Sequence, residues 1–445
     1  MNASRKSRAR TRVPTSRLGR VFRMGMMASE LALGSALDGA RQWVSGRRPD
    51  ASGTLLSARN AQVLARELSR LRGAAMKLGQ MLSLQGDEIL PPEFTQALSI
   101  LGSQGYAMPA AQLHGVLGRE YGAGWRRRFA SFDEEPIAAA SIGQVHRARA
   151  KDGRELVLKI QYPGVARSID SDVDNLATLM RWLDFLPLEL DVAGLTAEAK
   201  RQLRLEADYE EEASHAERFR ALLGDSEEFV VPRVHRDLST RRILALDFVE
   251  GVPLESLQDP GVGQRERDRV GRLLESLMFR ELFGLHYMQT DPNPANYLYQ
   301  PDTGKVVLLD FGSTLELEPG RVERYRGICR ALMKDDEAGI RRYAVELGYL
   351  AEDEPEPRGS GVIEMIRLVC EPLTHRGAYD FAGSRLVARA RDLGIDLALR
   401  HGLPTPPPET AFLHRKLVGN FMLCAMLRAH IDAHALIMPW LRKQT

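Results

Sequence analysis

The sequence predicts an α+β fold, in which a short strand-rich segment is followed by a longer helical one. From about Phe129 the pattern changes to strands and turns, and Glu155–Ile160 alternates as a strand does. From Arg265 onward helical patterning dominates, apart from a short apolar strand at Val306–Leu309. The chain has 445 residues, 44% of them hydrophobic and 27% charged, which allows two or three domains and excludes a disordered or collagen-like chain.

Positive charge is concentrated at the N-terminus. The whole chain carries a formal charge of +2, which indicates no partner, but residues 1–50 hold eleven basic and three acidic residues, a net charge of +8. A basic arm of this kind suits a transit peptide, a phosphate-binding arm, a membrane-surface tag or a plain solvated tail. No stretch is long and apolar enough to span a bilayer. The three cysteines lie far apart without a CxxC, which argues against disulfides and structural zinc and fits a reducing compartment.

A regular amphipathic helix is predicted over residues 59–85. Its apolar stripe consists of Leu64, Leu68, Leu71, Ala75, Leu78 and Leu82. Gly73, Lys77 and Gln80 fall roughly opposite that stripe, and the pattern by itself favours a solvated polar face there.

The remaining helix and strand predictions lie between the two ends. Helical patterning covers Ser168–Leu183 and Thr196–Leu223. A pair of strands is predicted around Phe229–Val234 and Arg242–Phe248.

Four features with possible chemistry occur in one order. An alanine-rich turn (Ala138–Val145) precedes a strand that carries Lys159, and an apolar strand ends in the Asp-Phe-Gly of Asp310. Asp291 lies 19 residues before Asp310 and five before Asn296, within QTDPNPAN. A protein-kinase-like site needs a strand lysine for the α/β-phosphates, a loop Asp with an Asn five residues on, and a DFG Asp for magnesium.

Each of these residues also has a plain structural interpretation. A lysine in a strand can extend from an edge into solvent, Asp-Pro-Asn-Pro can be a turn, and Asp310 can be a helix cap or turn residue. These interpretations do not explain why the parts occur together in this order and spacing. We therefore favour the kinase-like site.

With these residues in view, the chain resembles the UbiB (aarF-domain, or Coq-eight-like) family of atypical kinases, in particular the subgroup that supports ubiquinone biosynthesis. The resemblance rests on KLGQ at Lys77–Gln80, AAAS at Ala138–Ser141, EAD at Glu206–Asp208, QTDPNPAN, DFG and LHRKLVGNF at Leu413–Phe421. It implies a bilobal protein-kinase-like fold, with a small β-rich N-lobe, a helical C-lobe and an N-terminal helical extension that carries the KxGQ motif.

The resemblance also implies a role for individual residues. Lys159 would bind phosphates with Glu212 as its ion-pair partner, and Asp291 would be the catalytic-loop aspartate. Asn296 and Asp310 would hold Mg²⁺. The nucleotide, ATP or ADP, would contact Ala138, Ala139, Ala140, Ser141, Ile142, Gly143, Val145, Lys159, Asp247 and Val249. The regulatory set would be Lys77, Gln80, Glu206 and Asp208, which would cover the place where a peptide substrate binds.

Four segments are expected on this basis. They are a basic arm with a membrane-proximal helix (1–50), the KLGQ extension (51–128), the N-lobe with a helical insert at about 162–203 (129–250), and the C-lobe (251–445). The alanine-rich loop replaces the usual glycine-rich one, and alanine restricts backbone freedom. No APE-like motif follows Asp310, so an ordered platform for a peptide substrate is not expected.

The expected function is a Mg–ATP-dependent ATPase that supports ubiquinone biosynthesis at a membrane. Three alternatives stay open: a genuine protein or small-molecule kinase, a nucleotide-binding scaffold, and a lipid-binding module switched by nucleotide. The expected partners are a quinone-precursor-like lipid or an anionic membrane surface, together with ubiquinone-biosynthesis enzymes and a second copy in a homodimer. Nucleic acid is not expected. The expected location is the bacterial cytoplasm, peripheral on the inner membrane, with the mitochondrial matrix as the alternative.

Overall fold

The computed structural model describes residues 73–75, 77, 108–182, 192–401 and 408–442. The predicted basic arm, most of the helix predicted over 59–85, and Gln80 lie outside the described residues. The chain divides into two compact units. The first contains the described residues up to Ser214 together with Arg233–Phe248, and the second contains His215–Pro232 and the chain from Val249 onward.

The first unit is built on an antiparallel sheet. Its elements are α1 (Ala110–Tyr121), β1 (Phe129–Phe132), β2 (Ala138–Ala139), β3 (Gly143–Ala150), β4 (Glu155–Gln161), α2 (Val165–Trp182), α3 (Val192–Glu206), the start of α4 (Tyr209–Leu223), and β6 (Ile243–Asp247). The strand order is β1-β3-β4-β6, with β2 paired to β3.

The side chains of β4 point alternately toward the core of this sheet and toward the candidate site. Leu156, Leu158 and Ile160 are fully buried in one cluster with Leu113 and Leu117 of α1. Because successive side chains in a strand point to opposite faces, Lys159 lies on the other face of β4. The apolar packing of α1 therefore fixes the strand that presents Lys159.

The second unit is rich in helices. Its elements are the end of α4, β5 (Phe229–Val230), β7 (Val252–Pro253), α5 (Gln264–Phe279), a π-helix (Arg280–Leu285), β8 (Tyr287–Gln289), β9 (Tyr297–Gln300), β10 (Lys305–Leu308), β11 (Thr314–Glu316), α6 (Pro319–Met333), α7 (Glu337–Glu346), α8 (Glu356–Val369), α9 (Glu371–Thr374), β12 (Tyr379–Asp380), α10 (Leu386–His401), α11 (Pro408–Met426), β13 (His430–Ile431) and α12 (Ala433–Leu441). Its apolar core joins Phe279, Met288, Val322, Ile340 and Ile437.

Two strand predictions are wrong in detail. The predicted strands around Phe229–Val234 and Arg242–Phe248 do not form a pair of their own, because β5 joins β10 in parallel and β6 joins β4. One bridge, Val234 to Leu246, links the two segments. Pro232 interrupts the first segment, since proline has no N–H to donate to a ladder.

The prediction of one helix over Thr196–Leu223 is also wrong, because the helix is broken at Ala207-Asp208. The Asp208 carboxylate accepts the backbone N–H groups of Glu210 and Glu211, each at 3.2 Å, so that a new helix begins there. The second unit likewise contains β8, β9 and β11, short strands that the helical pattern after Arg265 did not indicate.

Among the described residues, no helix combines the length and the apolar character that a membrane span requires.

Candidate active site

Lys159 and Glu212 form a buried ion pair in the first unit. The Lys159 Nζ atom lies 2.7 Å from Glu212 Oε1 and 3.0 Å from Oε2. The Glu212 side chain is fully buried and that of Lys159 is 10% exposed. The structure thus brings together the two residues that were predicted to pair across 53 positions.

Glu212 is held by the first turn of α4. Asp208 caps this helix, and the three glutamates that follow Tyr209 lie where a helix N-terminus favours negative charge. The Tyr209 ring lies 5.1 Å from the Lys159 ammonium, a distance at which a cation–π contact is favourable. The lysine is therefore oriented by both a carboxylate and an aromatic face.

The alanine-rich segment forms a tight hairpin. Ala138 and Ala139 pair with Val145 and Gln144, and the Ala140 N–H donates to the Gly143 carbonyl at 3.0 Å. The side chains of Ala138 and Ala139 are exposed and those of Ala140, Ser141 and Val145 half-buried, whereas Ile142 is buried.

Gly143 is required at the base of this hairpin. A Cβ atom there would lie 2.5 Å from the Ile160 carbonyl oxygen and 3.0 Å from the Tyr209 hydroxyl. The backbone of the hairpin therefore packs directly on β4, one residue from Lys159.

Lys77 is tied to this hairpin through Glu206. The Lys77 ammonium is 2% exposed and lies 2.5 Å from Glu206 Oε1, and the Ser141 hydroxyl donates to Glu206 Oε2. Gly73, one turn earlier, faces Ile142, where a Cβ atom would lie 3.0 Å from the side chain. The interpretation that the pattern alone favoured, a solvated polar face, is therefore wrong for Lys77.

Asp208 and Asp247 have evident structural contacts. Asp208 caps α4, as described above. The Asp247 carboxylate lies 2.7 Å from His235 Nε2 and accepts the Arg233 N–H at 3.3 Å. Val249 follows β6 and belongs to the second unit. The predicted contact of Asp247 and Val249 with the nucleotide stays a prediction.

The second unit brings Asp291, Asn296 and the DFG segment together. The Asn296 side-chain amide donates to the Asp291 backbone carbonyl at 3.0 Å, and the Leu309 N–H donates to the Asn296 carbonyl at 2.9 Å. The Asp310 carboxylate accepts the Gly312 N–H at 2.9 Å. Because the NH₂ end of Asn296 is used by the protein, its Oδ1 is the end that remains for a cation.

The residues fit Mg²⁺ and nucleotide phosphates. Magnesium prefers oxygen ligands and is usually bound by one or two protein groups with water and substrate phosphates completing its shell. Asn296 and Asp310 supply an amide oxygen and a carboxylate of this kind. Within the described residues there is no cluster of three or more His, Cys, Asp or Glu that could hold a metal ion.

Sequence reasoning missed the residues that support the loop carrying Asp291. Gln289 donates to the Asp291 carbonyl at 2.6 Å. Arg415 donates to the Thr290 carbonyl at 2.9 Å, and Lys416 lies 3.2 Å from the Gln289 side-chain oxygen. The signal for Arg415 and Lys416 was the LHRKLVGNF segment, and the signal for Gln289 was QTDPNPAN; both segments contributed to the resemblance without giving these three residues a role.

A family model described as the ABC1 atypical kinase-like domain matches residues 101–344. The chain is 37% identical to "Atypical kinase COQ8, mitochondrial" of Schizosaccharomyces pombe, over 97% of this chain and 70% of that protein. It is also 37% identical to "Atypical kinase COQ8B, mitochondrial" of Rattus norvegicus, over 99% of this chain and 84% of that protein.

A solved structure is similar as well. The complex of Rv3197 with erythromycin, from Mycobacterium tuberculosis, has a TM-score of 0.58 and 28% sequence identity, and the match covers 83% of this chain and 92% of that chain. The family model and this similarity confirm the predicted α+β, kinase-like fold.

Proposed function

Because this chain belongs to the ABC1 atypical kinase-like family, and is therefore an atypical kinase-like enzyme that acts on ATP, we propose that it hydrolyses Mg–ATP in support of ubiquinone biosynthesis at a membrane. The observation that carries the proposal is the buried Lys159–Glu212 pair. In kinase-like sites this pair orients the lysine toward the α/β-phosphates of the nucleotide.

The chemistry consists of positioning and charge neutralisation. Lys159 binds the α/β-phosphates, while Asn296 and Asp310 would hold Mg²⁺, which supplies positive charge to the phosphate oxygens. Asp291 orients the attacking water through its carboxylate and accepts a proton from it. A substrate hydroxyl in place of that water would make the same site a kinase.

Two features support hydrolysis over transfer to a protein. Ala138 and Ala139 of the alanine-rich hairpin pair with β3, and alanine allows less backbone freedom than the glycines of an ordinary kinase loop. Ser141 in this hairpin is bound through Glu206 to Lys77 of the KLGQ helix. We infer that this connection holds the loop in one conformation and disfavours a peptide acceptor.

The membrane part of the proposal rests on the sequence. The basic arm suits an anionic surface, where each Lys or Arg contributes about 1 kcal/mol to binding. We propose a quinone-precursor-like lipid as the ligand, with ubiquinone-biosynthesis enzymes and a second copy of the chain as protein partners. The COQ8 relatives are named as mitochondrial, which is consistent with the mitochondrial alternative.

The test uses purified full-length chain with γ-labelled ATP, and separates free phosphate from labelled protein. We expect Mg²⁺-dependent phosphate release, little label on protein, and loss of release in Lys159→Met. Label on a defined acceptor would favour the kinase alternative. Nucleotide binding without turnover would contradict the proposal and favour the scaffold.

A further inference from the structure

Helix α11 lies directly against the loop that carries Asp291. Arg415 donates to the Thr290 carbonyl at 2.9 Å, and its guanidinium also lies 3.3 Å from the Ser313 hydroxyl. Thr290 and Ser313 are bonded to each other, through the Thr290 N–H and the Ser313 carbonyl at 2.8 Å. Arg415 therefore joins the segment before Asp291 to the segment after Asp310.

Lys416, the next residue, reaches the same loop from within the core. Its ammonium is 2% exposed and lies 3.1 Å from the fully buried Glu281, on the π-helix, and 3.2 Å from the Gln289 side-chain oxygen. Burial opposes the charge of Lys416, but Glu281 and Tyr297 together outweigh this effect and raise the pKa of the ammonium. A charged donor thus fixes the oxygen end of the Gln289 amide.

Gln289 transmits this contact to the Asp291 backbone. With its oxygen bound to Lys416, its NH₂ group donates to the Asp291 carbonyl at 2.6 Å. The same carbonyl accepts the Asn296 amide at 3.0 Å. One carbonyl oxygen is therefore shared by the side chain that Lys416 orients and the side chain predicted to bind Mg²⁺.

Gly419 lies one turn after Lys416, and its backbone packs against the loop that carries Asp291. A Cβ atom at Gly419 would lie 2.0 Å from Cγ and 2.6 Å from Cβ of Pro292. Such distances do not occur between real atoms, so any side chain at 419 would push Pro292, next to Asp291, away from the helix. Helix α11 can therefore lie this close to Pro292 only because residue 419 has no side chain.

We propose that Lys416 and Gly419 are positioning residues, which set the position of the Asp291 carbonyl and so aim the Asn296 Oδ1 atom at the cation. The inference deepens the proposed function and rests on Asn296 acting there as a magnesium ligand. Residues behind a metal ligand typically change metal affinity about 10–100-fold when they are altered, although they do not touch the metal.

The experiment measures the Mg²⁺ concentration that half-saturates binding of a fluorescent ADP, together with the melting temperature. We expect Gly419→Ala and Gln289→Met each to raise that concentration by about tenfold or more. The matched control is Asn420→Ala. Asn420 is buried on the same helix, but its amide donates to Glu275 at 2.9 Å. We expect this variant to melt earlier than wild type and to keep the wild-type Mg²⁺ dependence.

The outcomes separate the two claims. If Gly419→Ala does not fold, the inference is tested with Gln289→Met, which leaves helix α11 unchanged. Wild-type Mg²⁺ dependence in the folded variants would overturn the inference and leave Lys416 and Gly419 with a packing role alone. Failure of the wild-type chain to bind ADP in a Mg²⁺-dependent way would instead refute the proposed function.

Discussion

Replacing Lys77 by methionine tests whether the segment that carries Lys77 is held by a buried charge. The substitution keeps the length of the side chain and removes the ammonium, so that Glu206, 9% exposed, loses the charge that compensates it. At 2.5 Å and an effective dielectric constant of about 20, the attraction is roughly 6–7 kcal/mol, part of which only offsets desolvation. We expect Lys77→Met to lower the free energy of unfolding by about 3–5 kcal/mol, as removing one partner of a buried pair does.

The double variant Lys77→Met/Glu206→Gln distinguishes lost charge from lost packing. It removes the orphaned carboxylate and keeps an acceptor for the Ser141 hydroxyl, so most of the stability should return. Urea-induced unfolding followed by far-ultraviolet circular dichroism measures each change.

Lys200→Met is the matched control for this series. Lys200 Nζ lies 2.6 Å from Asp174 in the same unit, but the Asp174 side chain is 60% exposed. An exposed pair contributes about 0–1 kcal/mol. If Lys77→Met cost no more than Lys200→Met, the assignment of a buried charge pair at Glu206 would be refuted.

Two further predictions concern the nucleotide loop and the core of the second unit. Ala139→Gly should free the β2–β3 hairpin and increase autophosphorylation, measured with γ-labelled ATP; no increase would count against the loop as a barrier to transfer. Burial raises the pKa of Glu275 from 4.5 to about 7, so the native state keeps this proton at pH values where the unfolded chain has lost it. Its stabilising contribution is complete below pH 4.5 and is lost as the pH rises to about 7, at a cost of about 3 kcal/mol. Glu275→Gln should therefore match wild type near pH 4.5 and exceed it by about 3 kcal/mol at pH 8 in chemical unfolding, and an equal difference at both pH values would contradict the burial of an ionisable group.

The sequence predicted the long strand β4 better than the short strands and the way in which strands pair. The strand at Glu155–Ile160 is confirmed, with β4 ending at Gln161, because six residues of alternating pattern give a clear signal. Strands of three or four residues, such as β8 and β9, are too short to do so. The hydrophobic periodicity of a segment does not show which strand it pairs with in a sheet. For this reason the two segments near Pro232 were wrongly predicted to pair with each other.

The contacts that support the site join residues that are far apart along the chain. Lys416 meets Gln289 across 127 residues, and no local pattern encodes such a contact. Lys77 was interpretable in two ways, since a polar face opposite an apolar stripe is solvated on an isolated helix and buried when a second surface covers it. The family resemblance indicated the second possibility, because it associated Lys77 with Glu206.

The most direct test of the proposed lipid-coupled ATPase activity is phosphate release from Mg–ATP by the purified chain. It is measured with and without anionic liposomes that contain a phenolic quinone-precursor mimic, in the wild type and in the Asp310→Asn variant. We expect the liposomes to stimulate release in the wild type and Asp310→Asn to abolish it. Release that is unaffected by lipid, or that persists in Asp310→Asn, would contradict the proposed coupling or the proposed site, respectively.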